Sequence, residues 1–299
     1  MDNEIINNIK TLALDMIENA GSGHTGIVLG AAPIIYTLYS RHLNINLNDP
    51  LWINRDRFIL SAGHGSALLY ACLYMAGYNI TLDDLKNFRK IDSKTPGHPE
   101  YGVTPGVEVT TGPLGQGLAT AVGMALGEKI LGDKYVIPKK SVLTISNHLI
   151  DYNVYVLCGD GDLMEGISYE AASFAGTLKL NNLIVLYDSN NVSLDNKTDV
   201  TFNENVMDRF KALGWNTIKV KNGNSVSAID RAIRRAKNSS KPTLIEIKTI
   251  IGYGSNKAGT NEAHGKAIDK FELAKIKQDF NMPNEMFYVN EKAKEEFKK

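Results

Sequence analysis

Asp160 and Asn190 are the residues in this chain whose types and spacing most clearly could do chemistry. Asp160 lies in Cys158-Gly159-Asp160-Gly161, directly after the apolar run 154–157. Asn190 comes thirty positions later, just past a second apolar run, 183–187. Two parallel strands joined by one helix would bring both residues to the same sheet edge. Asp160 offers a hard carboxylate oxygen and Asn190 an amide carbonyl. The backbone carbonyl of Val192 could add a third oxygen. Such donors suit magnesium or calcium, with diphosphate oxygens completing the shell. Gly159 and Gly161 would let the backbone come close to a phosphate. Gly-Asp-Gly is also a common turn sequence. The spacing to Asn190 and the strand–helix–strand context are what favour a cofactor site over a plain turn.

Four of the six histidines sit beside glycine or one residue from it in loop-like segments: His24, His64, His98 and His264. Together they predict one convergent polar site, able to bind hydroxyls and move protons near neutral pH. His42 and His148 fall in no such segment and are expected to be structural.

The elements that must position these residues are short apolar runs at 57–60, 154–158, 183–187, 217–220 and 243–250. Helical patterns lie between them at 65–76, 115–131, 166–178, 206–213 and 226–236. Strands alternating with helices predict an α/β fold with a mostly parallel sheet covered on both faces. Ligands of such sheets sit beyond the carboxyl ends of the strands, where the residues above fall. No repeat or linker divides the chain, so 1–299 reads as a single domain. The charged stretch from about 282 to 299 is expected at the surface. Arg231, Arg234, Arg235 and Lys237 read as a solvated helix face.

The chain has 299 residues, with 33 basic and 33 acidic side chains and no net charge. That balance argues against nucleic acid or an anionic membrane as a partner. Hydrophobic residues at 43% and charged residues at 22% are ordinary globular values. Two cysteines, Cys72 and Cys158, make no disulfide framework and suggest a reducing compartment. Ile5, Ile9, Leu12 and Met16 recur at helical spacing, without the basic start or long apolar run of a signal peptide. The most apolar stretch, 29–39, is too short to span a bilayer. A cytoplasmic protein is the expectation.

Several segments together carry a family resemblance. They are Ala20-Gly21-Ser22-Gly23-His24, Leu60-Ser61-Ala62-Gly63-His64-Gly65, Thr95-Pro96-Gly97-His98-Pro99-Glu100 and Thr111-Gly112-Pro113-Leu114-Gly115-Gln116-Gly117. Further on come Gly159 through Ser168, Tyr187-Asp188-Ser189-Asn190, and Lys257 through Gly265. In this order they resemble transketolase over nearly the whole chain, Gly159 to Ser168 with Asn190 resembling its thiamine-diphosphate motif.

The resemblance implies the thiamine-diphosphate-binding fold. It implies transfer of a two-carbon ketol unit from a ketose phosphate to an aldose phosphate, with the cofactor carrying the carbon–carbon chemistry. By resemblance, Asp160, Asn190 and Val192 hold Mg2+ (or Ca2+). Gly112, Leu114, Gly159, Gly161, His64 and His264 flank thiamine diphosphate. His24 and His264 contact substrate hydroxyls near the cleaved bond, and His98 holds the ketose's terminal hydroxyl. Glu165 and Glu170 are acids at a subunit interface, Glu165 with a catalytic role.

Four positions depart from the family pattern. Thr25 stands where proline is frequent, Asn191 where glycine is common, and Asn261 where histidine often stands. Asp162 adds a carboxylate that would weaken diphosphate affinity unless it points away. A complete transketolase is about twice this long, and nothing after His264 resembles its second half. The chain therefore resembles the N-terminal subunit of a split transketolase, inactive alone. Its partner would be a separate C-terminal, pyrimidine-binding subunit, and the assembly a heterotetramer with two of each chain. Three readings compete with this one. The chain could serve a related thiamine-diphosphate enzyme with another sugar, such as 1-deoxyxylulose-5-phosphate synthase; it could be a non-catalytic cofactor-binding homologue; or it could be a fragment of a longer protein. The loops of His98 and His264 favour transketolase over the deoxyxylulose enzyme.

Overall fold

The central strands β2 and β3 are mostly apolar runs because both of their faces are covered. The structure is a computed structural model and describes residues 1–136 and 148–299. In chain order its elements are α1 (Asp2–Ala20), α2 (Thr25–Arg41), β1 (Arg57–Leu60), α3 (Ser66–Ala76), α4 (Leu82–Lys86), α5 (Gln116–Lys134), β2 (Val154–Gly159), α6 (Gly166–Thr177), β3 (Leu183–Ser189), α7 (Val206–Ala212), β4 (Asn216–Val220), α8 (Val226–Lys237), β5 (Thr243–Lys248), α9 (Lys270–Asp279) and α10 (Glu291–Phe297).

The strands form one sheet in the order β1-β2-β3-β5-β4, every neighbouring pair parallel. Alternate residues therefore enter two separate cores. Tyr155, Leu157, Ile184, Leu186, Ile245 and Ile247 pack under α1, α2, α3 and α8. Val154, Val156, Cys158, Leu183, Val185 and Leu244 pack under α5, α6 and α7. The fold is the expected α/β architecture with a parallel sheet covered on both faces, except at the edge strand β4, where Lys219 is exposed.

The expected strands and helices are present, with small changes at their ends. The run read to residue 250 leaves the sheet after Lys248, and the helix read from 115 starts at Gln116. α2, α4, α9 and α10 lie outside the helical patterns read in the sequence. α2 is apolar on all sides and contains Pro33, so no polar face marks it. It runs through the centre of the first core, with Ile34, Ile35 and Leu38 fully buried. No helix among the described residues is long and apolar enough to cross a membrane.

The segment 282–299 keeps its lysines and glutamates mostly outward but is fastened by apolar anchors. Phe287, Ala293 and Phe297 are buried, with Phe297 against the ring of Tyr36. Beneath it, Asp15 of α1 faces Lys277 of α9 at 2.6 Å, and both side chains are 1% exposed. Asp15 also accepts the Phe287 N–H.

Candidate functional site

The register of β2 against β3 explains the spacing of Asp160 and Asn190. Gly159 lies opposite Asp188, so one step further along each strand sets Asp160 beside Ser189. Asp160 is buried. Its Oδ1 accepts the Tyr187 hydroxyl, and its Oδ2 accepts the backbone N–H groups of Asn190 and Asn191 at 3.2 and 3.0 Å. Asn190 Oδ1 accepts the Val192 N–H at 3.0 Å, folding the loop back on itself. Asn191 has φ 61°, a left-handed conformation that asparagine tolerates better than most residues, so the loop survives without glycine.

A cavity of about 420 Å³ opens here, at the carboxyl edge of the sheet. It gathers residues from the ends of β1, β2, β3 and β5 and from the starts of α2 and α5. Of the residues singled out in the sequence, His24, His64, Gly112, Leu114, Gly159, Asp160, Gly161, Glu165, Asn190, Val192 and His264 line it. His98 does not. It is exposed, with its ring against Gly112 and close enough to His24 and His64 to help hold their pKa values down. Glu170 lies on the exposed face of α6. His42 sits at the far end of α2, with Nε2 3.0 Å from Asp230, and His148 Nδ1 meets the Gly132 carbonyl.

Three histidines converge. The ring centres of His24 and His64 are 5.0 Å apart, those of His64 and His264 5.2 Å, and those of His24 and His264 5.9 Å. Burial pushes their pKa values down, His24 to about 4, with the neighbouring His264 adding to the effect. All three imidazoles are thus neutral at pH 7. The Nδ1 atoms of His24 and His264 are buried and have no hydrogen-bond partner among the described residues. A buried polar atom without a partner is costly, and here two of them belong to residues that line one cavity.

Asp188 and Asp162 were not among the expected site residues, yet both line the cavity. Asp188 accepts the Thr249 hydroxyl and the Asn190 side-chain N–H. Asp162 accepts from Ser61, Gly115 and Gly159. Burial pushes the carboxyls of Asp160, Asp162 and Asp188 upward, and the nearby Asp160 charge helps raise Asp188 to about 7. Against this, Lys248 supplies positive charge near Asp160 and donates to Ser189 at 2.7 Å. Ile27, Leu194 and Ile251 add an apolar wall. The position of Ile251, just beyond β5, was the available signal for it in the sequence.

The donor set fits a hard divalent cation. No cluster of three or more histidine, cysteine or acidic residues able to hold a metal occurs among the described residues. A cation here would rest on Asp160, Asn190 and the Val192 carbonyl, all oxygen donors, in a region of excess buried negative charge. The cradle also fits a bulky anion. A Cβ added to Gly159 would meet nothing within 4 Å, so glycine there leaves open space beside Asp160. At Gly161 the reason for glycine is different, because a Cβ would lie 2.9 Å from Leu114 Cδ1.

Two other departures have local roles. Thr25 donates to the Lys266 carbonyl at 3.0 Å and so ties the start of α2 to the His264 loop. Asn261 donates to the Asp195 carbonyl at 2.8 Å.

Comparison with known proteins bears on the whole chain. Residues 1–299 match the family described as transketolase, thiamine diphosphate binding domain. A transketolase of Staphylococcus epidermidis is 54% identical over 299 residues, covering 99% of this chain and 44% of the relative. The solved structure of transketolase from Leishmania mexicana superposes with a TM-score of 0.95 at 44% identity, over 99% of this chain and 44% of that one. A Pichia stipitis transketolase solved in complex with sedoheptulose 7-phosphate gives 0.95 at 42% identity, over 99% and 43%. The chain spans less than half the length of the curated relatives it matches.

Proposed function

This chain belongs to the transketolase family, and from that premise we propose that it binds thiamine diphosphate with a divalent cation and acts in ketol transfer. In this reading it takes a two-carbon ketol unit from a ketose phosphate to an aldose phosphate, together with a C-terminal, pyrimidine-binding transketolase subunit. We place two copies of each chain in a heterotetramer, with the cofactor between unlike chains. The observation that carries the reading is one cavity holding the oxygen donors of Asp160 and Asn190 opposite His24, His64 and His264. The match to less than half of each relative supports the need for a second part.

Asp160, Asn190 and the Val192 carbonyl would hold Mg2+, or Ca2+. Gly159, Gly161, Gly112 and Leu114 would line the diphosphate, with His64 and His264 against it. When bound, thiamine diphosphate would supply a nucleophilic carbon for the carbon–carbon chemistry. The chain's own residues bind, orient and move protons. Neutral imidazoles offer one donor and one acceptor each, which matches a sugar hydroxyl better than two donors would. His24 Nδ1 and His264 Nδ1 are already desolvated, so a hydroxyl that reaches them meets atoms in need of a partner. His98, beside Gly112, would meet the outer end of the sugar. Glu165, at the cavity rim and the start of α6, would face the partner subunit.

The test is a transfer assay with xylulose 5-phosphate, ribose 5-phosphate, thiamine diphosphate and magnesium. The chain alone should be silent, and adding the C-terminal polypeptide from the same cell should restore sedoheptulose 7-phosphate formation. Turnover by the chain alone would overturn the two-part reading. Tight cofactor binding with no turnover in the mixture would favour a different sugar or a purely binding role.

A further inference from the structure

Asp162 follows Asp160 by two residues, yet its carboxylate is taken up entirely by other parts of the protein. Oδ1 accepts the Ser61 hydroxyl at 2.6 Å and the Gly115 N–H at 2.9 Å, and Oδ2 accepts the Gly159 N–H at 3.0 Å. Ser61 Oγ in turn accepts the Leu118 N–H at 3.1 Å. The backbone carbonyl of Asp162 accepts the Ser168 hydroxyl at 2.5 Å. One residue thus joins the end of β1, the end of β2, the first turn of α5 and the first turn of α6.

Those segments build the cavity wall around the proposed diphosphate. The end of β1 leads into Ala62 and His64, the end of β2 into Asp160 and Gly161, and the start of α5 follows Gly112 and Leu114. They meet at backbone distance. A Cβ on Gly117 would lie 2.6 Å from Ser61 Cα, and one on Gly115 would lie 2.9 Å from Glu165, Ile167 and Ser168 atoms. No larger side chain could replace the joint by packing.

None of the bonded partners of Asp162 is a cation; they are a hydroxyl and two amides. A buried carboxylate held only by neutral donors is a costly choice for a fold, which an uncharged side chain could serve. What the carboxylate offers is two oxygens that only accept, so that donors from three directions can converge on it. An asparagine would present one acceptor and a competing donor.

We propose that Asp162 is a positioning residue for the diphosphate ligand. It fixes the β1, β2 and α5 segments against one another and thereby sets affinity, without touching the ligand. The proposal rests on the reading of this cavity as a thiamine-diphosphate site.

The experiment compares the full chain with Asp162→Asn, Asp162→Ala and Ser61→Ala. Lys277→Met serves as a control that lowers stability far from the cavity. Calorimetric titration with thiamine diphosphate at saturating magnesium is the first arm. Asp162→Asn should bind roughly 10- to 100-fold more weakly, the scale of one or two lost charge-assisted hydrogen bonds. Lys277→Met, though less stable, should bind within about 3-fold of the native chain. Native-like affinity in both Asp162 variants would overturn the proposal. Amide hydrogen exchange without ligand is the second arm. The N–H groups of Gly115, Gly159 and Leu118 should all lose protection by at least about 10-fold in Asp162→Asn, while the α8 amides stay unchanged. Leu118 bonds Ser61 and not Asp162, so an unaltered Leu118 would show that no brace exists. If the native chain takes up no thiamine diphosphate either alone or mixed with the C-terminal subunit, the reading of the cavity fails, and the exchange arm alone decides whether Asp162 holds the wall together.

Discussion

The two ends of this molecule treat buried polar groups in opposite ways. Beneath the C-terminal segment, Asp15 and Lys277 bury a full charge each, but they face each other at 2.6 Å and Asp15 also takes the Phe287 N–H. At the carboxyl edge of the sheet, three buried carboxylates gather with Lys248 nearby, and two buried imidazole nitrogens find no partner among the described residues. The first arrangement closes a fold. The second leaves bonding capacity unspent around a cavity, at a cost in stability that a folding role alone would not explain.

The largest effect should come from the closed end. Lys277→Met leaves Asp15 buried and unpaired and should lower stability by about 3–5 kcal/mol in urea unfolding. Adding Asp15→Leu to it should restore most of that loss, since the uncompensated charge disappears. If the single variant were as stable as the native chain, the contrast between the two ends would break.

The open end should respond to ligand. Thiamine diphosphate and magnesium at about 100 times the dissociation constant should stabilise the native chain by about 2.7 kcal/mol, read as a shift in thermal unfolding. Asp160→Ala, or chelation of the metal, should abolish the shift while leaving the empty chain folded. A shift that survives Asp160→Ala would place the cation elsewhere.

A smaller effect separates stability from binding at one atom. His24→Leu removes a buried nitrogen without a partner. It should stabilise the empty chain by about 1 kcal/mol while weakening the ligand-induced shift. Loss of stability would mean that His24 serves the fold.

The finest test is a titration. The ring of His24 should titrate near pH 4 in NMR spectra of the empty chain. Its folded pKa lies below the unfolded value of about 6.5, so the unfolded state takes up the proton first as pH falls. The contribution of His24 is therefore intact above about pH 6.5 and is lost progressively down to about pH 4. A midpoint near 6.5 would show a solvated ring and remove the electrostatic part of the contrast.

How far the sequence could be read follows the same division. The strands were legible because a sheet covered on both faces needs unbroken apolar runs. Asp160 and Asn190 were legible because a single helix between parallel strands fixes their spacing. α2 was not, since Gly30 and Pro33 interrupt its apolar run. Asp188 was passed over although it lies in the same motif as Asn190. The role of Asp162 could not be read, because Ser61 and Gly115 are distant in sequence and meet it only through the sheet. His98 shared the glycine-rich setting of the other site histidines, and its ring lies beside Gly112 of the cavity wall.

The parallel order of the sheet has a consequence in time. Each strand pairs only with partners reached by a crossover, and Arg57 of β1 must find Val154 of β2. Pairings of such long range are slow, because the entropy of closing the loop is spent before any contact rewards it. The cavity draws on the ends of β1, β2, β3 and β5 at once, so no half-formed sheet contains it. Binding competence should therefore emerge as the final kinetic phase of refolding, and a chain that captures ligand has completed its topology.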